Sequence, residues 1–356
     1  MKMRAARMYG YNEPWRLEEV PVPDISADEV LVKVAATGMC RSDYQLIHGY
    51  FKMAAPMKFP AIPGHEIAGH VAGVGSAVPR SAGLSDGDLV VVNPGWGDGT
   101  CRQCHEGNEQ LCSGTGSWPG FGPPGGFAEY VAVPYRHLIT VDPGDQKPEN
   151  FAPLTDAGLT PYRGIKKLAA AGKLGPGRTV VVAGIGGLGS YAVQYAKLLG
   201  AGATVVAFSR TDDKLTVARE NGADHTVNTR DKTAEQVQDE IEAATGRRTV
   251  DAILDCAGAV ESIALDFSIL EPEGAVASVG LMGTKVEVPL NVIVGTELSY
   301  FGSFWGNYND LTEVLALGAA GRIKHTITTV KLDDINENLE ALGRGDVVGR
   351  QVVVFD

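Results

Sequence analysis

No run of 18 consecutive apolar residues occurs in this 356-residue chain, so a membrane-spanning helix is not expected. The opening residues, MKMRAARMYGYNEPW, lack the apolar core of a secretory signal, and a cytoplasmic protein is expected. Basic residues are in deficit. The 31 Lys and Arg against 43 Asp and Glu leave a formal charge of −12, which argues against nucleic acid or an anionic membrane surface as the main partner. The charges form no block and read as an acidic solvated surface. Cysteine is scarce and odd in number, five in all, and three of the five crowd into GDGTCRQCHEGNEQLC at 97–112. That distribution argues against a disulfide framework and suits metal thiolates in a reducing compartment. Internal repeats and low-complexity linkers are also missing.

What is present divides the chain in three, and its length suits two domains. Residues 1–153 are rich in short β-like runs broken by Gly and Pro, with no long amphipathic helix. EVLVKVAATG (29–38) alternates apolar residues, and DLVVVNPG (88–95) is a continuous apolar run ending at a turn. Over 154–292 strands alternate with helices, as in TVVVAGIGGLGSYAVQYAKLLG (179–200), ATVVAFS (203–209), VDAILDCAG (250–258) and GAVASVG (274–280). Such alternation implies a parallel, doubly wound sheet. Leu188, Ala192, Tyr195, Ala196 and Leu199 share one face of the first helix. Residues 293–356 return to mixed structure and end in GRQVVVFD. The pattern predicts a β-rich domain built from both ends of the chain, with a nucleotide-binding α/β domain inserted.

Gly184, Gly186 and Gly189 spell G-x-G-x-x-G between an apolar strand and an amphipathic helix. In that setting glycine permits the tight turn, and backbone N–H groups approach a pyrophosphate at the helix N-terminus. Taken alone, the same glycines also suit a plain strand-to-helix turn.

Three further segments hold metal-ligating residue types. TGMCRSD (37–43) places Cys40 just after a strand, PGHEIAGHVAGVG (63–75) places His65 and Glu66 before another, and APLTDAGLTPYRG (152–164) carries Asp156. Singly, each has a plainer explanation. A lone Cys is a small buried hydrophobe, a lone His a satisfied polar residue, and Asp156 a helix N-cap. Occurring in this order with the glycine loop and the cysteine cluster, they make the chain resemble the zinc-containing medium-chain alcohol dehydrogenases from end to end. APLTDAGLTPY looks like the bacterial secondary-alcohol branch.

The resemblance implies a GroES-like β domain plus a Rossmann domain, with the active site in the cleft between them. It implies a catalytic zinc on Cys40, His65 and Asp156, with Glu66 as an extra ligand when substrate is absent. Three protein ligands and one open position suit a catalytic zinc, and two anionic ligands neutralise the ion. A Lewis acid there lowers the pKa of an alcohol, which loses its proton and then passes hydride to a nicotinamide. Ser42 matches the family's proton relay, and Asp43 a carboxylate that orients His65. Where the family often has a His relay, this chain has Gln45, so the proton is expected to leave through water or His48. The family's structural lobe, C-x2-C-x2-C-x7-C, read back from Cys112, gives Cys104, Cys101 and then Asp98. Asp98 is thus the expected fourth ligand of a second, structural zinc, with His105 as its rival.

The resemblance also implies cofactor contacts at Arg41, Thr160, Gly187, Leu188, Gly280, Leu281 and Arg350. Trp118 and Trp305 match positions that wall the substrate pocket, which favours an apolar or aromatic alcohol, although either indole could be core. The expected cofactor is NADP rather than NAD. An NAD-binding unit carries an acidic residue about 20 residues past the loop, and here Ser209 stands there, followed by Arg210, with Lys214 one turn on. In the competing arrangement Arg210 covers adenine while Asp212 or Asp213 binds the ribose. A homodimer or homotetramer is usual in the family, and TELSYFGSF (296–304) is a plausible pairing edge. Rival functions are a polyol or sugar dehydrogenase and a non-catalytic cofactor-binding member.

Overall fold

The alternation at 29–38 becomes the longest strand of the protein, which a computed structural model describes over residues 1–355. Two compact units are found, Met1–Ala157 together with the chain from Gly306 onward, and Gly158–Trp305.

In the first unit β1 (Lys2–Arg7) and β2 (Arg16–Pro21) form a small antiparallel ribbon. The main sheet uses β3 (Glu29–Met39), β4 (Glu66–Val74), β5 (Leu89–Val92), β6 (Tyr130–Pro134) and β7 (Leu138–Thr140). Alternation along β3 sends Val30, Val32 and Val34 into one core with Ile67, Val71, Val90 and Val131. The last residues of β3, Ala36 to Met39, are all buried, and they deliver Cys40 into the interior.

The second unit contains β8 (Thr179–Ala183), β9 (Thr204–Ser209), β10 (His225–Asn228), β11 (Val250–Asp255), β12 (Leu270–Ser278) and β13 (Ser299–Gly302). They form one parallel sheet in the order β10-β9-β8-β11-β12-β13. β8 and β11 are buried at every position, as strands covered on both faces must be. The strand order reverses beside β8, at the end of which the glycine loop lies, the usual ligand position of such sheets. The expected α/β architecture is therefore present. β13 lies at the sheet edge, so the chain rejoins the first unit at Gly306, later than the 293 expected. β13 lies within TELSYFGSF (296–304), the segment read from the sequence as a plausible edge.

The chain then supplies β14 (Ile327–Val330) and β15 (Arg350–Val354) to the first unit, completing the order β14-β15-β3-β4-β5-β7, with β6 also paired to β3. No helix among the described residues is long and apolar enough to cross a membrane.

Candidate functional site

Cys40 caps the helix Arg41–Ile47 directly after β3, and its backbone N–H donates to Asp43 Oδ2 at 2.8 Å. The antiparallel register sets Gly38 opposite Glu66, which brings the start of β4 and His65 alongside. Asp156 follows the turn Ala152–Thr155 in the same unit. Cys40, His65, Glu66 and Asp156 are all buried, and each offers a ligand atom within 4.8 Å of the others. Cys40 Sγ lies 3.2 Å and His65 Nε2 3.3 Å from Asp156 Oδ2. Zinc bonds of about 2.0–2.3 Å at tetrahedral angles require donor separations of about 3.3–3.8 Å, so this donor set fits the ion.

His65 turns Nε2 to the cluster and Nδ1 to Asp43 Oδ1, 3.3 Å away. That is the carboxylate–histidine arrangement which fixes a metal-ligating imidazole. Burial alone would lower the His65 pKa, but Asp43 and Asp156 outweigh it and hold the value well above the ordinary one. Ser42 Oγ stands 3.5 Å from Cys40 Sγ, within the same cluster. His48 is exposed at the helix end, with Nδ1 3.1 Å from Asn12 Oδ1.

Arg350 and Arg41, expected at the cofactor, are occupied within the first unit. Arg350 is buried and grips Glu66 with two nitrogens, Nε at 3.1 Å from Oε2 and Nη2 on Oε1, while Nη2 also lies 3.6 Å from Asp156 Oδ2. Arg41 Nη1 donates to the backbone oxygens of Leu342 and Gly343 at the end of the helix Ile335–Arg344.

Phe121, which the sequence did not single out, packs its ring 5.1 Å from that of His65. Phe121 is in turn met edge-on by Phe51 at 5.2 Å and by Trp118 at 6.4 Å. The only signal was an aromatic residue in the Gly/Pro-rich stretch WPGFGPPGG after the cysteine cluster. Trp305 belongs to the second unit, where it is buried beside Phe304 with its backbone at φ 40°.

The second cluster is Asp98, Cys101, Cys104 and Cys112. Cys101 Sγ lies 3.6 Å from Cys104 Sγ and 3.8 Å from Cys112 Sγ, and Cys104 Sγ lies 3.9 Å from Asp98 Oδ1. A Zn–S bond of about 2.3 Å gives a tetrahedral S···S edge of about 3.8 Å, so these thiols also fit zinc. His105, the rival fourth ligand, is not among the clustered groups. Asp98 has a further role. Its Oδ1 accepts from the backbone N–H and hydroxyl of Thr100, and Oδ2 from those of Thr115. The backbone N–H groups of Thr115 and Thr100 lead in holding its carboxyl well below the ordinary range. Cys101, turned to the N–H groups of Cys104 and Ser113, falls to about 6.

In the second unit the candidate cofactor residues gather at one end of the parallel sheet. Gly184 (φ 90°) leaves β8, Gly186 caps the helix Gly187–Leu199, and Leu188 is half-buried in its first turn. A Cβ on Gly189 would sit 2.1 Å from the Gly184 carbonyl oxygen, so helix and strand approach this closely only with glycine. Ser209 ends β9, is buried, and accepts from the Thr211 N–H at 3.4 Å. Arg210 is exposed, and Lys214 lies in the helix Asp212–Glu220. Gly280 and the exposed Leu281 follow β12 and abut the loop at Ala257 and Gly258. Thr160 is buried in the helix Leu159–Ala170.

Comparison with known proteins agrees with both units. The alcohol dehydrogenase GroES-like domain matches residues 26–143, and the zinc-binding dehydrogenase domain matches 187–320. The NAD-dependent alcohol dehydrogenase of Sulfurisphaera tokodaii is 35% identical, covering 99% of this chain and 100% of its own. The D-arabinose 1-dehydrogenase (NADP(+)) of Saccharolobus solfataricus is 34% identical over 99% of this chain and 98% of its own. The crystal structure of the alcohol dehydrogenase from Aeropyrum pernix matches with a TM-score of 0.91 at 36% identity, covering 99% of this chain and 100% of that one. With a dinucleotide-type glycine loop in one unit, two zinc-compatible clusters in the other, and these end-to-end likenesses, the chain belongs to the zinc-containing medium-chain alcohol dehydrogenase family.

Proposed function

We propose that the protein is a zinc-dependent alcohol dehydrogenase that interconverts a secondary or primary alcohol and its ketone or aldehyde, using NADP in preference to NAD. The observation that carries this is the buried Cys40–His65–Asp156 cluster at metal-ligand spacing, with a serine hydroxyl 3.5 Å from the thiol. Zinc held there would supply Lewis acidity toward an alcohol oxygen, and the bound dinucleotide a hydride acceptor. Asp43 keeps the His65 ring aimed at the cluster. Ser42 Oγ accepts the alcohol's proton and passes it outward. Gln45 cannot titrate near neutrality, so the next acceptor is water or His48. Phe121, Phe51 and Trp118 present rings on the His65 side and keep water from the reacting carbon. Cys101, Cys104, Cys112 and Asp98 would hold a second, structural zinc.

The preference for NADP rests on the end of β9. Both nearby carboxylates are occupied. Asp212 Oδ1 accepts from the Asn228 amide, and Asp213 Oδ1 from the Lys214 N–H. Ser209 and Arg210 stand at this strand end, with Lys214 one turn into the next helix, and suit a 2′-phosphate. The relative from Sulfurisphaera tokodaii is named for NAD, so cofactor choice is the first point to measure. Likeness to an arabinose dehydrogenase favours a sugar as the second reading, and the aromatic ring group opposes it.

The assembly we infer is a dimer or tetramer. β13 leaves a sheet edge open; Tyr300 on it is 45% exposed, and Leu290 and Val294 in the preceding helix Leu290–Thr296 are 70% and 76% exposed. We infer a cytoplasmic location from the three clustered thiols at metal-ligand spacing, which suit a reducing compartment. The test is zinc content together with steady-state rates on an alcohol and ketone panel with both cofactors. No turnover by zinc-replete protein would leave a cofactor-binding protein only. A higher kcat/KM with NAD, or an unchanged preference in Arg210→Ala, would overturn the NADP assignment.

A further inference from the structure

We propose that Arg230 is a second determinant of cofactor choice, a guanidinium fixed beside Ser209 and Arg210 to take a ribose 2′-phosphate. The inference rests on the assignment of Ser209 and Arg210 given above and extends it to the end of a different strand.

β10 runs parallel to β9 with Asn228 opposite Ser209, and the Thr229 N–H donates to the Ser209 carbonyl oxygen at 2.9 Å. This pairing carries the chain past Arg210. Arg230 Nε donates to the Arg210 carbonyl oxygen at 2.8 Å, and the Arg230 N–H donates to Asn228 Oδ1 at 3.0 Å. The side chain is thus anchored at Nε, while its two terminal nitrogens face no protein partner among the described residues. Arg210 likewise forms no ion pair there. Asn228 works on both sides of the site. Its oxygen holds the Arg230 backbone, and its amide nitrogen holds Asp212 at 2.8 Å. The other neighbouring carboxylates are Asp213, engaged by the start of its own helix, and Asp231, which forms no ion pair with Arg230.

A phosphomonoester carries about −1.5 to −2 charges near neutrality and has three acceptor oxygens. One guanidinium that covers adenine serves NAD and NADP alike. Two unpaired guanidinium forks flanking a serine hydroxyl suit the dianion specifically, because each end-on fork binds two oxygens. The chemical class selected is an adenine dinucleotide phosphorylated on its ribose.

The test is calorimetric binding of 2′,5′-ADP and of 5′-AMP to the full-length, zinc-replete protein, in wild type, Arg210→Ala and Arg230→Ala. In Arg230→Ala, 2′,5′-ADP should weaken about tenfold or more while 5′-AMP is unchanged, as loss of one charge-assisted contact requires. Unchanged 2′,5′-ADP binding in Arg230→Ala, with a loss in Arg210→Ala, overturns the role of Arg230 alone. Equal weakening of both nucleotides also overturns it, since Arg230 would then only shape the adenosine pocket. A wild type without preference for 2′,5′-ADP overturns both assignments together.

Discussion

Replacing Arg350 by methionine should destabilise the first unit by about 3–5 kcal/mol, the usual cost of removing one partner from a buried ion pair. Arg350 is 3% exposed and Glu66 fully buried, so neither is relieved by water. The guanidinium makes two hydrogen bonds to Glu66 and stands 3.6 Å from Asp156. Without it, the Glu66 and Asp156 carboxylates share one buried cluster with Cys40 and His65. The double variant Glu66→Gln, Arg350→Met removes the stranded charge. It should recover about 2 kcal/mol of the sum of the single losses, within the range for coupled neighbours. Urea denaturation followed by tryptophan fluorescence reports mainly on this unit, because Trp15, Trp96 and Trp118 belong to it and Trp305 alone to the other. The series is run in chelator and again in zinc, since a bound cation offsets part of the stranded charge. A single-variant loss below about 1 kcal/mol in chelator, or strict additivity in the double variant, would refute this electrostatic account.

Gly189→Ala should abolish measurable dinucleotide binding by fluorescence titration, because the added methyl meets the Gly184 carbonyl at 2.1 Å and neither backbone can retreat without opening the loop; retained affinity would show that helix and strand separate easily. Asp98→Ala should lower zinc from two ions per chain to one and reduce the melting temperature, with little change in rate per folded molecule. Two ions retained would make Asp98 a loop clamp through Thr100 and Thr115 and no ligand. Burial, helped by the neighbouring Arg136, lowers the pKa of His137 to about 3, so its ring stays neutral when folded and charges when unfolded. Stability should therefore fall by about 1.4 kcal/mol per pH unit from about 6.5 toward 3 on this account. His137→Phe, which keeps a ring against Trp96, should show a shallower fall, and parallel curves would contradict the assignment.

Local order made much of this legible in the sequence. The glycine loop, the strand runs at 179, 203, 250 and 274, and the spacing of Cys101, Cys104 and Cys112 are short patterns whose physics acts over a few residues. Cys40, His65 and Asp156 were legible only jointly, because each residue type is common and the contact is long-range. The Glu66–Arg350 pair spans 284 residues, and no local pattern encodes it. Arg230 escaped for the same reason, since the parallel pairing of β10 with β9 puts it beside Arg210 across 20 residues of chain. Asp98 shows the reverse case, where spacing suggested a ligand but could not reveal four hydrogen bonds to Thr100 and Thr115.

The place of β15 beside β3 has a consequence for biosynthesis. Val352 pairs opposite Gly38, so the part of β3 that leads to Cys40 lacks its neighbour on one side until residue 352 has left the ribosome. Glu66 is polymerised 284 residues before Arg350, a wait of roughly 15–60 s at translation rates of about 5–20 residues per second. The parallel-sheet unit, by contrast, is contiguous from Gly158 to Trp305 and is able to fold within that interval. The nascent first unit thus displays an unpaired strand edge and an unneutralised glutamate for tens of seconds. Any lesion that stops synthesis ahead of Arg350 makes that condition permanent.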